Sequence, residues 1–585
     1  MAKETQSKTP KFDALLDAHL EKLLPHKRVC KWKGEHPHCK EEFEITDEDI
    51  KFLKMLRAPV SNYCPACRRI RRFVYMGLSQ LFKIPCQAPG HSESMISILS
   101  EDCPFPVYDY KYFISDEFDP FSFGRNYEKG SDPMEVLWEM RKKFPMPSFL
   151  NRDPSSVNSE YSNGGRNTKN AYYTFGCFNS EDLWYCVMAT LSKDVMDSRY
   201  ARKSEHCYSI YHSEGMYKSS FSYFSKDCTD SMFLFDCRNC DSCFGSVNLR
   251  NKRYCVWNKQ LSKEDYETFL KTVFPLTRDK IKTYTKKLWE LVKTFPVNAS
   301  RNTAVENVSG AMLANVRNSH DVTESRKAEN MRHADGGLTH HDSMDFTYSG
   351  DSSLVYGTIN VGSQSNNVKF SISSKYCTNC EFVFNSKNLD NCFMCFGLQN
   401  KSYCVLNRQY SKEKYFSLVD KIKSDMWERG EYGDGFPMKF SAQAYNMSIA
   451  SVSFPLSDEE IVKLGGYLAK EPESNAGEIK TLSGKDIPET IDEATDDVVN
   501  HGIACEVTGK PFRITPSELQ FYRRMKIPIP SVHPVIRMND KAKIIKIGRY
   551  YEGSCAHCGK PINSAFDPKD GFILYCESCY QKEVY

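Results

Sequence analysis

Residues 555–579 read CAHC, seventeen residues, then CESC, and a decayed copy of the same region stands near the start of the chain. Two CxxC knuckles at this separation hold four thiolates on two tight turns, which is what tetrahedral Zn²⁺ requires. Shifted by 469 positions, the two ends align: Phe43 falls on Phe512, Ile45 on Ile514, Thr46 on Thr515, Cys64 on His533, Arg68 on Arg537 and Cys86 on Cys555. Thr46 and Thr515 each precede an acidic helical stretch, as an N-cap does when its hydroxyl accepts an unpaired backbone N–H. With a two-residue gap, Tyr108 meets Tyr575. Each end is therefore one unit of knuckle, helix, second knuckle and ribbon.

The two copies keep complementary metal positions. The first offers Cys30, Cys39, Cys64 and Cys67 around its helix, while its ribbon retains Cys86 but has Pro89, Asp109 and Tyr112 at the other places. The second keeps Cys505 and His533 beside Thr508 and Ile536, and its ribbon is complete in Cys555, Cys558, Cys576 and Cys579. Two zinc ions are expected, one at each end. The eight-residue gap from Cys30 to Cys39 leaves His36 and His38 as rival ligands. Cys505 with His533 reads as a packed pair without metal.

Between these units the chain changes character. From about 165 to 259, and again from about 305 to 408, it becomes short polar–aromatic alternations rich in Ser, Asn, Asp and Cys. Such alternation, broken by turn residues, predicts short strands. Cys186, Cys207 and Cys228 recur every 21 residues, and Cys237 with Cys255 and Cys377 with Cys395 lie 18 apart. A period near 20 predicts a stacked β-solenoid whose coils bury their inner faces on one another. A second duplication, offset by 149, places Cys228 on Cys377, Cys243 on Cys392, Cys255 on Cys404 and Asn258 on Asn407. Each copy ends in Ser-Lys-Glu, with Ser262 and Ser411 as expected helix N-caps, and Pro275 is expected to break the first helical run. The central cysteines read as inward-facing thiols rather than metal ligands, because Cys380 and Cys395 align with Ser231 and Ser246.

The expected class is mainly β with helical additions: a central β-solenoid-like repeat body flanked by duplicated small zinc-binding α+β units. The expected divisions are a tail at 1–29, the first zinc unit at 30–125, solenoid at 126–259, a helical segment at 260–300, solenoid at 301–410, and a second helical segment at 411–440. A connector with an acidic linker at 471–500 fills 441–500, and the second zinc unit occupies 501–585. Four stretches, FEITDEDIKFLKMLRAPVSNYCPACR, VYDYKYFISDEFDPFSFGRNY, NLRNKRYCVWNKQLSKEDY and the run from CEVTGKPFRI to YCESCYQKEVY, resemble a family of Cys-rich proteins associated with candidate-phyla bacteria and large DNA viruses. The resemblance spans nearly the whole chain. It implies the domain layout and the zinc sites, and it brings no activity with it. Pro89 and Asp109 depart from that family's fuller cysteine set in the first ribbon.

The 24 Cys need reduced thiols if they form knuckles, and the polar start shows no apolar signal region, so a reducing, intracellular compartment is expected, cytoplasmic or within a virion. No run reaches the length of a membrane span. A net charge of +3 argues against bulk attraction to nucleic acid or membrane. The local exception is CRRIRRF, where Arg68, Arg69, Arg71 and Arg72 follow a knuckle and are candidate phosphate contacts. No nucleophile elbow, P-loop, dinucleotide fingerprint or zinc-protease motif occurs. HADGGLTHHDSMD, with His333, Asp335, His340, His341 and Asp342, is the best metal-enzyme candidate but reads as a polar loop between coils. The leading expectation is a non-catalytic structural or interaction protein with protein partners or self-assembly. Nucleic-acid binding is the alternative.

Overall fold

The computed structural model describes residues 7–128, 130–150, 154–471, 480–484 and 486–585. It is rich in β-structure, and its largest sheet orders ten strands from Thr303–Ala311 to Arg408–Gln409 in chain sequence. All neighbours in that sheet are parallel except the last pair, which is a hairpin. An earlier stack runs the same way: Val157 pairs with Lys169, Lys169 with Glu181, Glu181 with Lys193 and Lys193 with Glu205.

Each of those steps is 12 residues, so the expected period near 20 is wrong. The real unit is a triplet. From Cys177 to Ser246 every third residue is buried, and the same holds from Leu313 to Val361. Cysteines occupy this inward position, so their separations of 18 and 21 are whole numbers of triplets rather than coil lengths. The residue before each inward one holds a positive φ, as at Tyr200 (57°), Lys203 (48°), His206 (52°) and Ser209 (52°). Asn and Asp tolerate this left-handed region best among residues with a side chain, which accounts for their abundance in the middle of the chain.

One triplet shows where the backbone groups go. Tyr208 donates its N–H to Ser219 O on the next coil (3.2 Å), and Ser209 donates to Met196 O on the previous one (2.9 Å). The inward Ile210 has no carbonyl to meet; its N–H reaches Ser198 Oγ at 3.1 Å, and that hydroxyl donates to Met196 O at 2.9 Å. A buried N–H left unpaired costs about 1–3 kcal/mol, so a small hydroxyl one coil below stabilises the stack where it occurs, although Ala201 and Ile210 at the same inward position offer none. Cysteine fits the same position: the Cys186 thiol lies 3.3 Å from both Trp184 O and Val195 O. The central cysteines are interior thiols, as their mismatched alignment suggested.

The aligned Asn258 and Asn407 close the two stacks. Asn258 Oδ1 accepts the Val247 N–H (2.7 Å) while its amide donates to Val247 O (2.9 Å). Asn407 does the same for Phe396, at 2.7 and 2.8 Å. Each side chain thus replaces the missing next coil. The helices Lys263–Val273, Arg278–Val292 and Lys412–Glu428 follow, capped by Ser262, Thr277 and Ser411, and the first two are separated around Pro275 as expected. Tyr284 and Trp289 lie against Phe233, Phe244 and Phe235 of the first stack, and Phe436 lies against Phe382, Phe384 and Phe396 of the second.

Two divisions differ from expectation. The described residues of 126–150 are not stacked coils; they contain the helix Pro133–Lys143, capped by Asp132, and among the described residues pairing in the first stack begins at Val157. The acidic segment is not a free linker in its described part. Thr481–Leu482 pairs with Gly502–Ala504, and Ile487, Ile491, Ala494 and Val498 are buried. Arg278 fixes it by donating to Ile487 O and Pro488 O. Residues 472–479 and 485 of the expected linker lie outside the described residues.

The duplications are related in space as well as in sequence. Arg68 of the first terminal unit meets Asp345 of the second stack at 3.2 Å, and Arg537 of the second unit meets Asp197 of the first stack at 2.8 Å. Asp197 and Asp345 are 148 apart, as are Tyr185 and His333. Those last two bond Glu518 (2.9 Å) and Asp49 (3.1 Å), themselves equivalent in the units. Each unit therefore clasps the stack of the opposite half of the chain. Between the stacks Tyr200 and Tyr348, again 148 apart, touch each other through their hydroxyls at 2.8 Å. The halves are thus related by an approximate two-fold axis beside this pair.

Candidate metal centres

Cys30 follows the strand His26–Val29, Cys39 precedes Glu42–Ile45, and Cys64 and Cys67 stand at the N-cap and first turn of the helix Pro65–Phe73. This brings the four Sγ atoms within 4.8 Å of one another. Cys64 and Cys67 are 3.4 Å apart, and Cys30 and Cys67 3.7 Å. Four thiolates about 2.3 Å from a tetrahedral ion stand ~3.8 Å from one another, so the group can hold a metal ion with little rearrangement. Backbone N–H groups already point at the sulfurs: Cys64 at Cys30 Sγ (3.3 Å), Lys40 at Cys64 Sγ (3.5 Å) and Glu41 at Cys39 Sγ (3.3 Å). Hydrogen bonds from Cys64 and Cys67 pull the Cys30 thiol far below its ordinary range.

The rival histidines separate. His38 turns away, with Nε2 on Pro455 O at 2.9 Å. His36 is buried with Nε2 3.2 Å from Cys67 Sγ, a partner to a ligand sulfur rather than a replacement for one.

The second centre is built on the ribbon. Cys555 follows Tyr551–Ser554, and Cys576 caps the helix Glu577–Val584, which carries Cys579. With Cys558 they again lie within 4.8 Å of one another, and Cys558 and Cys576 are 3.8 Å apart. Burial opposes ionisation of Cys555, but the backbone N–H groups of Cys576, Cys558 and His557 outweigh it and lower the thiol to about 6. The ribbon strand Ile573–Tyr575 pairs in parallel with Pro296–Asn298, directly before the second stack.

The decayed sites keep the fold without the ligands. The knuckle bond from the Cys N–H appears four times: Cys30 to Glu41 O, Cys86 to Glu93 O, Cys505 to Lys510 O and Cys555 to Lys560 O, at 2.6, 2.9, 3.0 and 2.8 Å. His533 N–H points at Cys505 Sγ (3.3 Å), as Cys64 N–H points at Cys30 Sγ, but Thr508 and Ile536 supply no thiolates. Burial lowers His533 to about 4, and its ring packs edge-on against Phe512.

The arginine reading needs correction. Arg68, Arg69, Arg71 and Arg72 are all buried, at 9 % exposure or less. Arg69 grips Asp335 (2.9 Å) and Asp321 (3.2 Å), and Arg72 pairs with Asp345 (3.1 Å) and donates to Thr347 and His333 O. Arg71 donates to the carbonyls of Asp434, Gly435 and Phe436 and lies over the Tyr63 ring at 4.0 Å. In this fold the cluster is turned inward and not toward a phosphate backbone: Arg68, Arg69 and Arg72 fasten the first unit to the second stack, and Arg71 fastens it to the segment 434–436. Sequence reasoning missed the partners Asp321, Asp335 and Asp345; Asp321 and Asp345 lie 24 residues apart, two 12-residue steps, which would have marked one face of the stack had the coil length been known, while Asp335 stands in a neighbouring column with Thr323 and Thr347.

The His/Asp motif is not a loop either. It spans the strands Arg326–Asp335 and Leu338–Thr347. Its side chains diverge: His333 bonds Asp49 and Asp321, while His340 points inward, is stacked on Phe346 at 4.1 Å and is lowered by burial to about 3. His341 is exposed. No helix among the described residues is long and apolar enough to cross a membrane. No protein-family model matches the chain, and no curated protein matches it.

Proposed function

We propose that this chain is a non-catalytic, zinc-stabilised interaction or scaffold protein that works in a reducing compartment as part of a larger assembly. The two stacks are read as short β-solenoids, and Zn²⁺ as the ion of both Cys₄ groups. The supporting observation is the position of those groups. Each is closed by four thiolates, which leaves no coordination place for water or substrate, the mark of a structural site. Each also sits in a unit whose other face clasps a stack. The sites therefore rigidify a clamp, and what remains outward are repetitive side-chain rows: Lys169, Glu181, Lys193 and Glu205 alternate in charge along one face of the first stack. Rows of this kind, repeated coil by coil, suit protein partners or further copies of the chain, including those of a virus particle.

The test is purification from the native source under reducing conditions, with zinc counting and identification of what remains bound. Stable protein partners or particles, retained at high salt, support the reading. A retained nucleic-acid absorbance with salt-sensitive binding to heparin would replace it with the nucleic-acid alternative, carried by residues other than the four buried arginines.

A further inference from the structure

The first ribbon, which lacks three of its four thiolates, is nonetheless fully formed. Cys86 Sγ accepts the Asp109 N–H at 3.3 Å, as Cys555 Sγ accepts the Cys576 N–H at 3.2 Å. Gln87 N–H reaches Val107 O at 3.0 Å, as Ala556 N–H reaches Leu574 O at 2.9 Å. Cys86 is 3 % exposed and stands in the posture of a ligand. Asp109 does not join it, since its carboxylate caps the next helix by accepting from Lys111 N–H at 2.8 Å.

Other donors have arrived from the turn. His91 and Glu93 bring a ring nitrogen and a carboxylate oxygen within 4.8 Å of Cys86 Sγ and of each other. His91 Nδ1 and Glu93 Oε1 are 2.9 Å apart, close to the ~3.3 Å edge expected between N and O ligands about 2.0–2.1 Å from a tetrahedral ion. The turn is held by the His91 N–H on Ala88 O (3.0 Å), and the ring lies 4.9 Å from that of Tyr112, the residue in the place of Cys579. A partly exposed His–Glu pair alone would be an ordinary surface contact of small worth. It does not account for a buried thiol presented to it on a ribbon built for metal.

We propose that Cys86, His91 and Glu93 form a third metal site for a divalent ion of the zinc class. One sulfur, one nitrogen and one oxygen suit Zn²⁺ or Co²⁺ and not Mg²⁺ or Ca²⁺, which take oxygen ligands. Three protein ligands leave a fourth position for water or another exchangeable group, so this ion is held more loosely than those of the closed Cys₄ sites. The site owes nothing to the interaction role proposed above.

The test uses the full chain in a phosphine reductant, dialysed against a weak chelator until its retained zinc is constant, then titrated with Co²⁺. The expected result is one further equivalent with a thiolate-to-cobalt charge-transfer band. His91→Ala and Cys86→Ser each weaken that equivalent by more than about 100-fold, since even an outer-shell partner of a ligand is worth roughly 10–100-fold. Glu93→Gln weakens it less. His91→Ala changes a partly exposed ring and decides the matter if Cys86→Ser fails to fold. Absence of the extra equivalent, or its persistence in His91→Ala, would overturn the proposal. The zinc retained before titration is counted on the same sample and reports separately on the Cys₄ sites.

Discussion

Replacing Glu518 by glutamine separates the two halves of the clamp by their electrostatics. Asp49 and Glu518 occupy the same position in the duplicated units, each the N3 residue of a capping box. Burial pushes Asp49 up, but His333 and Arg332 outweigh it and hold the carboxylate far below its usual range. At Glu518 the counterparts of Arg332 and His333 are Trp184 and Tyr185. Burial then dominates, and Glu518 rises from 4.5 to about 7 despite the hydrogen bond from Tyr185. The acid is thus protonated more readily when folded. Its contribution to stability is fully present below the unfolded value near 4.5 and is lost as pH rises through about 7. That interval, at about 1.4 kcal/mol per pH unit, is worth ~3 kcal/mol. Glutamine keeps the acceptor for Tyr185 and never ionises. Hydrogen exchange of the helix Pro516–Met525 should therefore slow in Glu518→Gln at pH 8, by an opening free energy of up to ~3 kcal/mol, and change little at pH 4.5. Equal exchange of parent and variant at pH 8, or faster exchange in the variant there, would show that burial does not raise Glu518.

Other consequences follow from the stacks and the clamp. Ser225→Ala leaves the Cys237 N–H, now 3.2 Å from Ser225 Oγ, without a buried acceptor. It should cost about 1–3 kcal/mol in denaturant unfolding, with Ser225→Cys the milder change. Asn407→Ala removes three bonds at the end of the second stack and should accelerate exchange at 393–398 while leaving the first stack's exchange unchanged. Arg69→Ala leaves the fully buried Asp335 with only the Thr323 hydroxyl at 2.8 Å and Arg72 at 3.7 Å, and should destabilise docking of the first unit by about 1–3 kcal/mol without altering retention on heparin.

The duplications, the capping threonines, the paired Ser262 and Ser411 and both cysteine quartets could be read from the chain, because each rests on residue types with one strong local preference. The coil length could not. Inward positions recur every third residue, and cysteine and serine share them interchangeably, so the visible cysteine spacing samples the triplet and hides the four-triplet coil. The arginines misled for a related reason: a run of cations beside a knuckle looks solvent-facing until its carboxylates are found, and Asp321, Asp335 and Asp345 lie some 250 residues or more away. The buried residues of the acidic segment were masked by the charges between them. His91 and Glu93 went unnoticed because they lie off the aligned ligand columns.

Metal content measures directly whether thiolates hold metal at both ends of the chain. Full-length protein, prepared with a phosphine reductant and dialysed against a weak chelator, should retain two zinc ions per chain by elemental analysis. It should lose one with Cys67→Ser and one with Cys576→Ser. Retention of none in the parent, or of two in either variant, would contradict the assignment.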